Sequence, residues 1–171
     1  ETNLGFIGSV NAAWARAIDL GHHVILLNSD AFVPEKWASR VMRPLLQDAG
    51  VATVTPMSND AEIFSMPVIC QPTPLEPGQG DALDALARGF GAAPVVVPTG
   101  VGFCMAMAPG FLARVPQLDT VFGRGYGEEN DFCMRAMEAG FRNVLCDDAY
   151  VVHSGGGSFG PLGLKPDADS M

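Results

Sequence analysis

Three groups of polar side chains stand out in this sequence. They are Asn28-Ser29-Asp30, the run Glu128-Glu129-Asn130-Asp131, and His153. Asp30 closes the apolar stretch His23-Val24-Ile25-Leu26-Leu27. A carboxylate at the end of such a strand is a suitable ligand for a hard divalent cation, and a diphosphate can share that cation without touching the carboxylate. An Asn-Ser-Asp triplet serves equally well as a turn and helix cap, so alone it does not choose between the two. The second group places three carboxylates within four residues at the start of a helix. The positive end of a helix dipole favours acidic residues by about 0.3–1 kcal/mol each, which accounts for one or two of them. Crowded like charges raise the pKa of at least one, which suits a general base acting on a hydroxyl. Helical spacing puts Glu129 on the face of Phe132, Cys133 and Ala136, and Glu128 and Asp131 on the face of Arg135. That division predicts one free carboxylate and a set tethered by Arg135. His153 follows Tyr150-Val151-Val152 and precedes Ser154-Gly155-Gly156-Gly157-Ser158. A histidine there is ordinarily a hydrogen-bonded surface residue, but a neutral imidazole also binds first-row metals, and glycines beside it admit a phosphate.

These groups need elements to hold them. Apolar residues recur at helical spacing from Val10 to Leu20 and stop at Gly21, predicting a helix followed by the strand that ends at Asn28. Pro34 opens a second helix running to about Ala49, and Val51 to Thr55 forms the next strand. Helix and strand alternating over short connections predict a mostly parallel sheet covered by helices. A proline-rich excursion from Pro56 to Pro98 contains one helix, from Asp81 to Phe90. Val95-Val96-Val97 and Phe103 to Met107 read as strands around Thr99-Gly100-Val101-Gly102, whose two glycines allow a ligand to lie close. A helix from Glu128 to Ala139 and strands at Asn143 to Cys146 and Tyr150 to Val152 complete a single domain, residues 1–159. Residues 160–171 lack apolar periodicity and read as a flexible tail.

The chain has 171 residues, 48% of them hydrophobic, enough for one substantial core. Ten Lys and Arg against 19 Asp and Glu give a net charge of -9, which argues against nucleic acid as a partner. Four cysteines without C-x-x-C spacing read as reduced thiols of a cytoplasmic protein. No run approaches the ~18 apolar residues of a membrane-spanning helix, so any association with a membrane would be peripheral, through a partner or another segment.

Taken in order, Asn3-Leu4-Gly5-Phe6, Asn11, Leu27-Asn28-Ser29-Asp30, Pro98 to Met105, Phe122 with Arg124 to Phe132, Arg135-Ala136 and Val152-His153 resemble glycosyltransferase family 2. The resemblance spans about residues 3 to 159, and the order and spacing of the motifs make it specific. It implies a GT-A fold, an α/β architecture with a Rossmann-like, mixed and mostly parallel sheet flanked by helices. It also implies an inverting transfer of sugar from a nucleoside-diphosphate donor to a carbohydrate or lipid-linked acceptor, in polysaccharide or glycolipid assembly. The family's strand-end Asp-x-Asp holds Mg²⁺ or Mn²⁺ on the donor diphosphate. Asp30 matches its last position, Asn28 stands at its first, and His153 matches a histidine that completes the metal or diphosphate site. The resemblance puts the general base at Glu129, with Asp131 as the next candidate. Asn3 and Gly5 fall in the donor-side loop, Gly100 and Gly102 near the sugar, and Glu128 among the substrate contacts. The family opens with a strand pair that holds the nucleotide base, whereas this sequence begins at the Asn3 loop, so the domain reads as incomplete at its N-terminus. Two rival readings use the same residues: a non-catalytic nucleotide-sugar or carbohydrate-binding module, and a metal-dependent hydrolase that needs no acceptor.

Overall fold

The computed structural model describes residues 4–123 and 126–155. The predicted positions of Asn3, Arg124, Gly125 and Gly156 onward, including the tail 160–171, lie outside the described residues. Helix α1 (Gly5–Leu20) buries Ile7, Val10 and Trp14 and ends at Gly21, whose left-handed backbone (φ 64°) lets the last turn close. Strand β1 (Val24–Leu27) and the two-residue β2 (Ala31–Phe32) follow. Helix α2 (Trp37–Gln47) begins three residues after Pro34, because Lys36 takes a left-handed conformation (φ 58°) that blocks an earlier start. Strand β3 (Val51–Met57) is buried at all seven positions, as a central strand with both faces covered must be.

The excursion after β3 holds a short 3₁₀ turn (Glu62–Phe64), helix α3 (Gln79–Ala87) and strand β4 (Val95–Val97). Strand β5 (Cys104–Met107) leads into the four-residue α4 (Pro109–Leu112). Helix α5 (Glu128–Glu138) packs Phe132 against Trp14 and Phe111, with ring centroids 4.8 and 4.7 Å apart. Where two strands were expected after it, β6 (Arg142–Tyr150) runs unbroken, followed by β7 (Val152–His153). The Asp147-Asp148 pair that resembles a break lies within a register irregularity opposite Pro56 and Met57, and Asp148 is buried against Arg43.

The five-stranded sheet has the order β1-β5-β3-β6-β4, and β2 and β7 form a separate antiparallel ribbon. The sheet is mixed, as expected, but only β3 and β6 are parallel neighbours, which corrects the mostly parallel expectation. β1, β3 and β6 do run the same way, as their helical crossovers require. β5 inserts between β1 and β3 in the opposite direction, and β4 covers the far edge of β6 in the same reversed sense. The carboxyl ends of β1, β3 and β6 and the amino end of β5 therefore meet at one edge of the sheet, the position at which open α/β sheets bind ligands.

Candidate active site

Four segments converge at that edge: Asn28 to Asp30 after β1, Ser58 to Glu62 after β3, Gly100 to Phe103 before β5, and His153 in β7. The first turn of α5 closes the site from the side. The Gly102-Phe103 dipeptide joins the parts. Gly102 donates its N–H to Glu129 Oε1 at 2.8 Å, the Phe103 carbonyl accepts the Asn28 N–H at 2.8 Å, and the Phe103 ring lies 5.2 Å from the His153 ring. A β-carbon on Gly102 would overlap Glu129 Oε1, and one on Gly100 would come within 2.8 Å of Met105 Sδ and 3.0 Å of Thr55 Oγ1. The close approach that these glycines permit is thus to protein atoms. The turn's other amides are also engaged, Gly100 N–H with Cys133 Sγ at 3.1 Å and Val101 N–H with Thr55 Oγ1 at 3.3 Å. The three successive amides of the turn are therefore already occupied by side chains.

Burial raises the pKa of Glu129, the Glu128 charge raises it further, the Gly102 N–H opposes the shift, and Glu62 adds to it. The result is a carboxyl pushed up to about 7. Such a group holds or takes a proton near neutral pH, the property a general base needs. Glu128 is 4% exposed, its Oε2 has no hydrogen-bond partner among the described residues, and burial raises its pKa too. The tethered pair is narrower than the helical spacing suggests. Asp131 is held by Arg135, at 2.7 Å, while Glu128 has no cation partner among the described residues. Asn11, one of the motif residues, accepts from Leu118 N–H at 2.8 Å and donates to its carbonyl at 3.0 Å, which ties α1 to the segment before α5. Gly5 opens α1 with a positive φ of 67°.

The structure brings Asp30 and His153 together, with Oδ1 and Nε2 3.4 Å apart, and Asn28 Nδ2 lies 3.4 Å from the same Nε2. The ribbon pairing of Ala31 with His153, with Ser154 N–H donating to the Asp30 carbonyl at 3.1 Å, sets that distance. Two ligand atoms about 2.1 Å from one cation and about 100° apart are separated by roughly 3.2 Å, so this pair fits a shared divalent ion. Among the described residues no group of three His, Cys, Asp or Glu side chains could enclose an ion unaided. A cation here would draw its remaining ligands from a substrate's phosphates and from water, as Mg²⁺ ordinarily does.

Sequence reasoning missed Asn59, Asp60 and Glu62. Asn59 grips the His153 backbone, the Asp60 carbonyl meets His153 Nδ1 at 2.6 Å, and Glu62 adds its charge beside Glu129. The rule that singled out Asn28-Ser29-Asp30, polar residues just beyond an apolar strand, picks out Ser58-Asn59-Asp60 after β3 as well.

No family model and no curated protein matches the sequence. A solved structure, GalNAc-T7 with UDP, GalNAc and Mn²⁺, matches with a TM-score of 0.65 at 18% identity, over 90% of this chain and 31% of that one. The fold is of the GT-A glycosyltransferase type. The chain thus spans about a third of the length of the structure it resembles.

Proposed function

We propose that this chain is the core of a glycosyltransferase that moves a sugar from a nucleoside-diphosphate donor to an acceptor hydroxyl with inversion, as in family 2. The observation that carries the reading is the Gly102-Phe103 link, which sets a carboxyl of raised pKa on one flank and the Asp30–His153 pair on the other. Glu129 takes the acceptor hydroxyl proton while that oxygen bonds to the anomeric carbon and the bond to the donor's phosphate oxygen breaks. Asp131, locked to Arg135, would serve mainly to keep α5 in place. Asp30 Oδ1 and His153 Nε2 are the atoms that would hold Mg²⁺ or Mn²⁺. Such an ion supplies charge neutralisation to the leaving diphosphate, which the acidic walls of the site would otherwise repel. Asn28 replaces a carboxylate and instead points an amide at His153, so the site carries less negative charge toward the cation. Three of the four cysteines are buried and all are free, which supports a reducing, cytoplasmic setting. No helix among the described residues is long and apolar enough to cross a membrane.

The test is calorimetric titration of UDP, GDP and TDP with and without Mn²⁺, on the wild type and on Asp30→Ala. Metal-dependent binding that the substitution abolishes is expected. Metal-independent binding, or equal binding by the variant, would sink the donor-site assignment. Product analysis then separates the transferase from a hydrolase, because only the latter frees sugar when no acceptor is present.

A further inference from the structure

We propose that Asn59 and the main-chain carbonyl of Asp60 form a positioning device that holds His153 with its proton on Nδ1, so that Nε2 presents a lone pair toward Asp30. The inference rests on the functional reading above only in naming a divalent cation as the partner of that lone pair.

A carbonyl oxygen can only accept, so His153 Nδ1, 2.6 Å from the Asp60 oxygen, must carry the hydrogen. The opposite tautomer would set two lone pairs against each other at that distance. A neutral ring bonded in this way has its free electron pair on Nε2, the atom 3.4 Å from Asp30 Oδ1. Metal-binding histidines are oriented in the same manner, by donating the other ring N–H to a carbonyl or carboxylate.

The ring can be aimed only if its backbone is fixed, and β7 has just two residues to do so. Asn59 supplies what a longer strand would have provided. Its Oδ1 accepts the His153 N–H at 2.8 Å, and its Nδ2 donates to the His153 carbonyl at 2.9 Å. These two partners also settle which end of the amide is oxygen, because an N–H requires an acceptor and a carbonyl a donor. Asn59 is 8% exposed and is itself held in place. Its carbonyl accepts from Thr73 N–H at 2.9 Å, Ser65 Oγ accepts from Ala61 N–H at 2.9 Å, and Ser58 pairs across to Ser65. The turn that carries the Asp60 carbonyl is therefore wired internally as well as to His153. An aspartate at position 59 would keep the bond to the His153 N–H but set an oxygen against the His153 carbonyl.

Two measurements test the device. Long-range ¹⁵N–¹H correlation on histidine-labelled wild type at pH 8, with His153 assigned by its absence in His153→Ala, should show the Nδ1–H tautomer. An Nε2–H pattern would overturn the proposal without any variant of the clamp being made. Mn²⁺ titration in the presence of UDP should then show about a 10–100-fold weaker metal affinity in Asn59→Ala. Asn59→Asp should fall between that variant and the wild type. If His153→Ala weakens Mn²⁺ binding and Asn59→Ala does not, the clamp is wrong and the donor-site reading stands. If neither weakens it, the donor-site reading falls, and the clamp's role toward a cation falls with it.

Discussion

Two sets of buried carboxylates in this molecule meet opposite fates. Asp84, on α3, is 1% exposed and accepts hydrogen bonds from Arg40 Nη1 and Nη2 at 2.8 and 3.0 Å, Arg88 Nε at 3.0 Å and Tyr150 N–H at 3.0 Å. Burial alone would raise its pKa, but the donors from Arg40, Tyr150 and Arg88 outweigh burial and hold it below the ordinary value. Glu128 and Glu129, in the first turn of α5, are also withdrawn from water, yet among the described residues only backbone amides reach their carboxylates, Gly102 N–H that of Glu129 at 2.8 Å and Glu128's own N–H that of Glu128. Their pKa values rise. A compensated buried charge fastens α3 to α2 and β6; an uncompensated pair stores a tendency to bind protons. The first arrangement serves the fold, and the second is the one that the proposed transfer would use.

The sharpest way to break that comparison is Asp84→Ala, which leaves Arg40 buried without its partner. Loss of one member of such a pair costs about 3–5 kcal/mol, a large share of the ~5–15 kcal/mol that holds a domain together. Urea unfolding should show the midpoint falling accordingly. Because the folded pKa of Asp84 is depressed, its contribution is present above the unfolded value near 3.8 and is lost as pH falls through the folded one. The wild type should therefore lose this contribution in acid, and the variant should have none of it to lose. A cost below about 1 kcal/mol would show that the network is ornamental.

At the other cluster the sign reverses. Glu129 has a folded pKa of about 7 against an ordinary value of 4.5, so its favourable contribution is complete below 4.5 and disappears as pH rises through 7. Glu129→Gln keeps an oxygen for the Gly102 N–H and removes the charge. The variant should melt above the wild type at pH 8 and match it near pH 4. Turnover should fall about 10²–10⁴-fold, and the wild type's rise in rate with pH around 7 should vanish in the variant's residual activity. Higher stability with unchanged turnover would detach the raised pKa from catalysis.

The difference between the two clusters also marks what a sequence discloses. Glu129 was legible because its setting is local: helical spacing put it on the face of Phe132 and Cys133, away from Arg135, and α5 has nearly the expected bounds. Helix α3 was legible as a helix, but nothing local tells that Asp84 will meet Arg40, 44 residues earlier. Asn59 follows an apolar strand as Asn28 does and could have been singled out, but its grip on His153 could not, since that partner lies 94 residues away. Strand direction failed because alternating helices and strands do not disclose that β5 inserts between two strands running the other way. Gly102 was read as room for a ligand, whereas the side chain that fills that room arrives from α5. The reading that tethered Glu128 and Asp131 together to Arg135 holds only for Asp131, one turn from the guanidinium, because Glu128 lies two turns away.

Glu128 gives the smallest and most discriminating effect. It raises the pKa of Glu129 through its charge, a contribution that ranks behind burial, and it donates nothing to Glu129 directly. Glu128→Gln removes that charge and supplies an amide of nearly the same shape. The midpoint of the pH–rate profile should move down by a fraction of a pH unit, with the plateau rate changed less than tenfold, because Glu129 keeps its place on the Gly102 N–H. Melting temperature at pH 8 should rise by a few degrees at most, since about 1 kcal/mol corresponds to roughly 2–4 °C in a domain of this size. A collapse of the plateau rate would instead make Glu128 a direct contact of the substrate, and its Oε2, which has no partner among the described residues, would then be the oxygen that substrate claims.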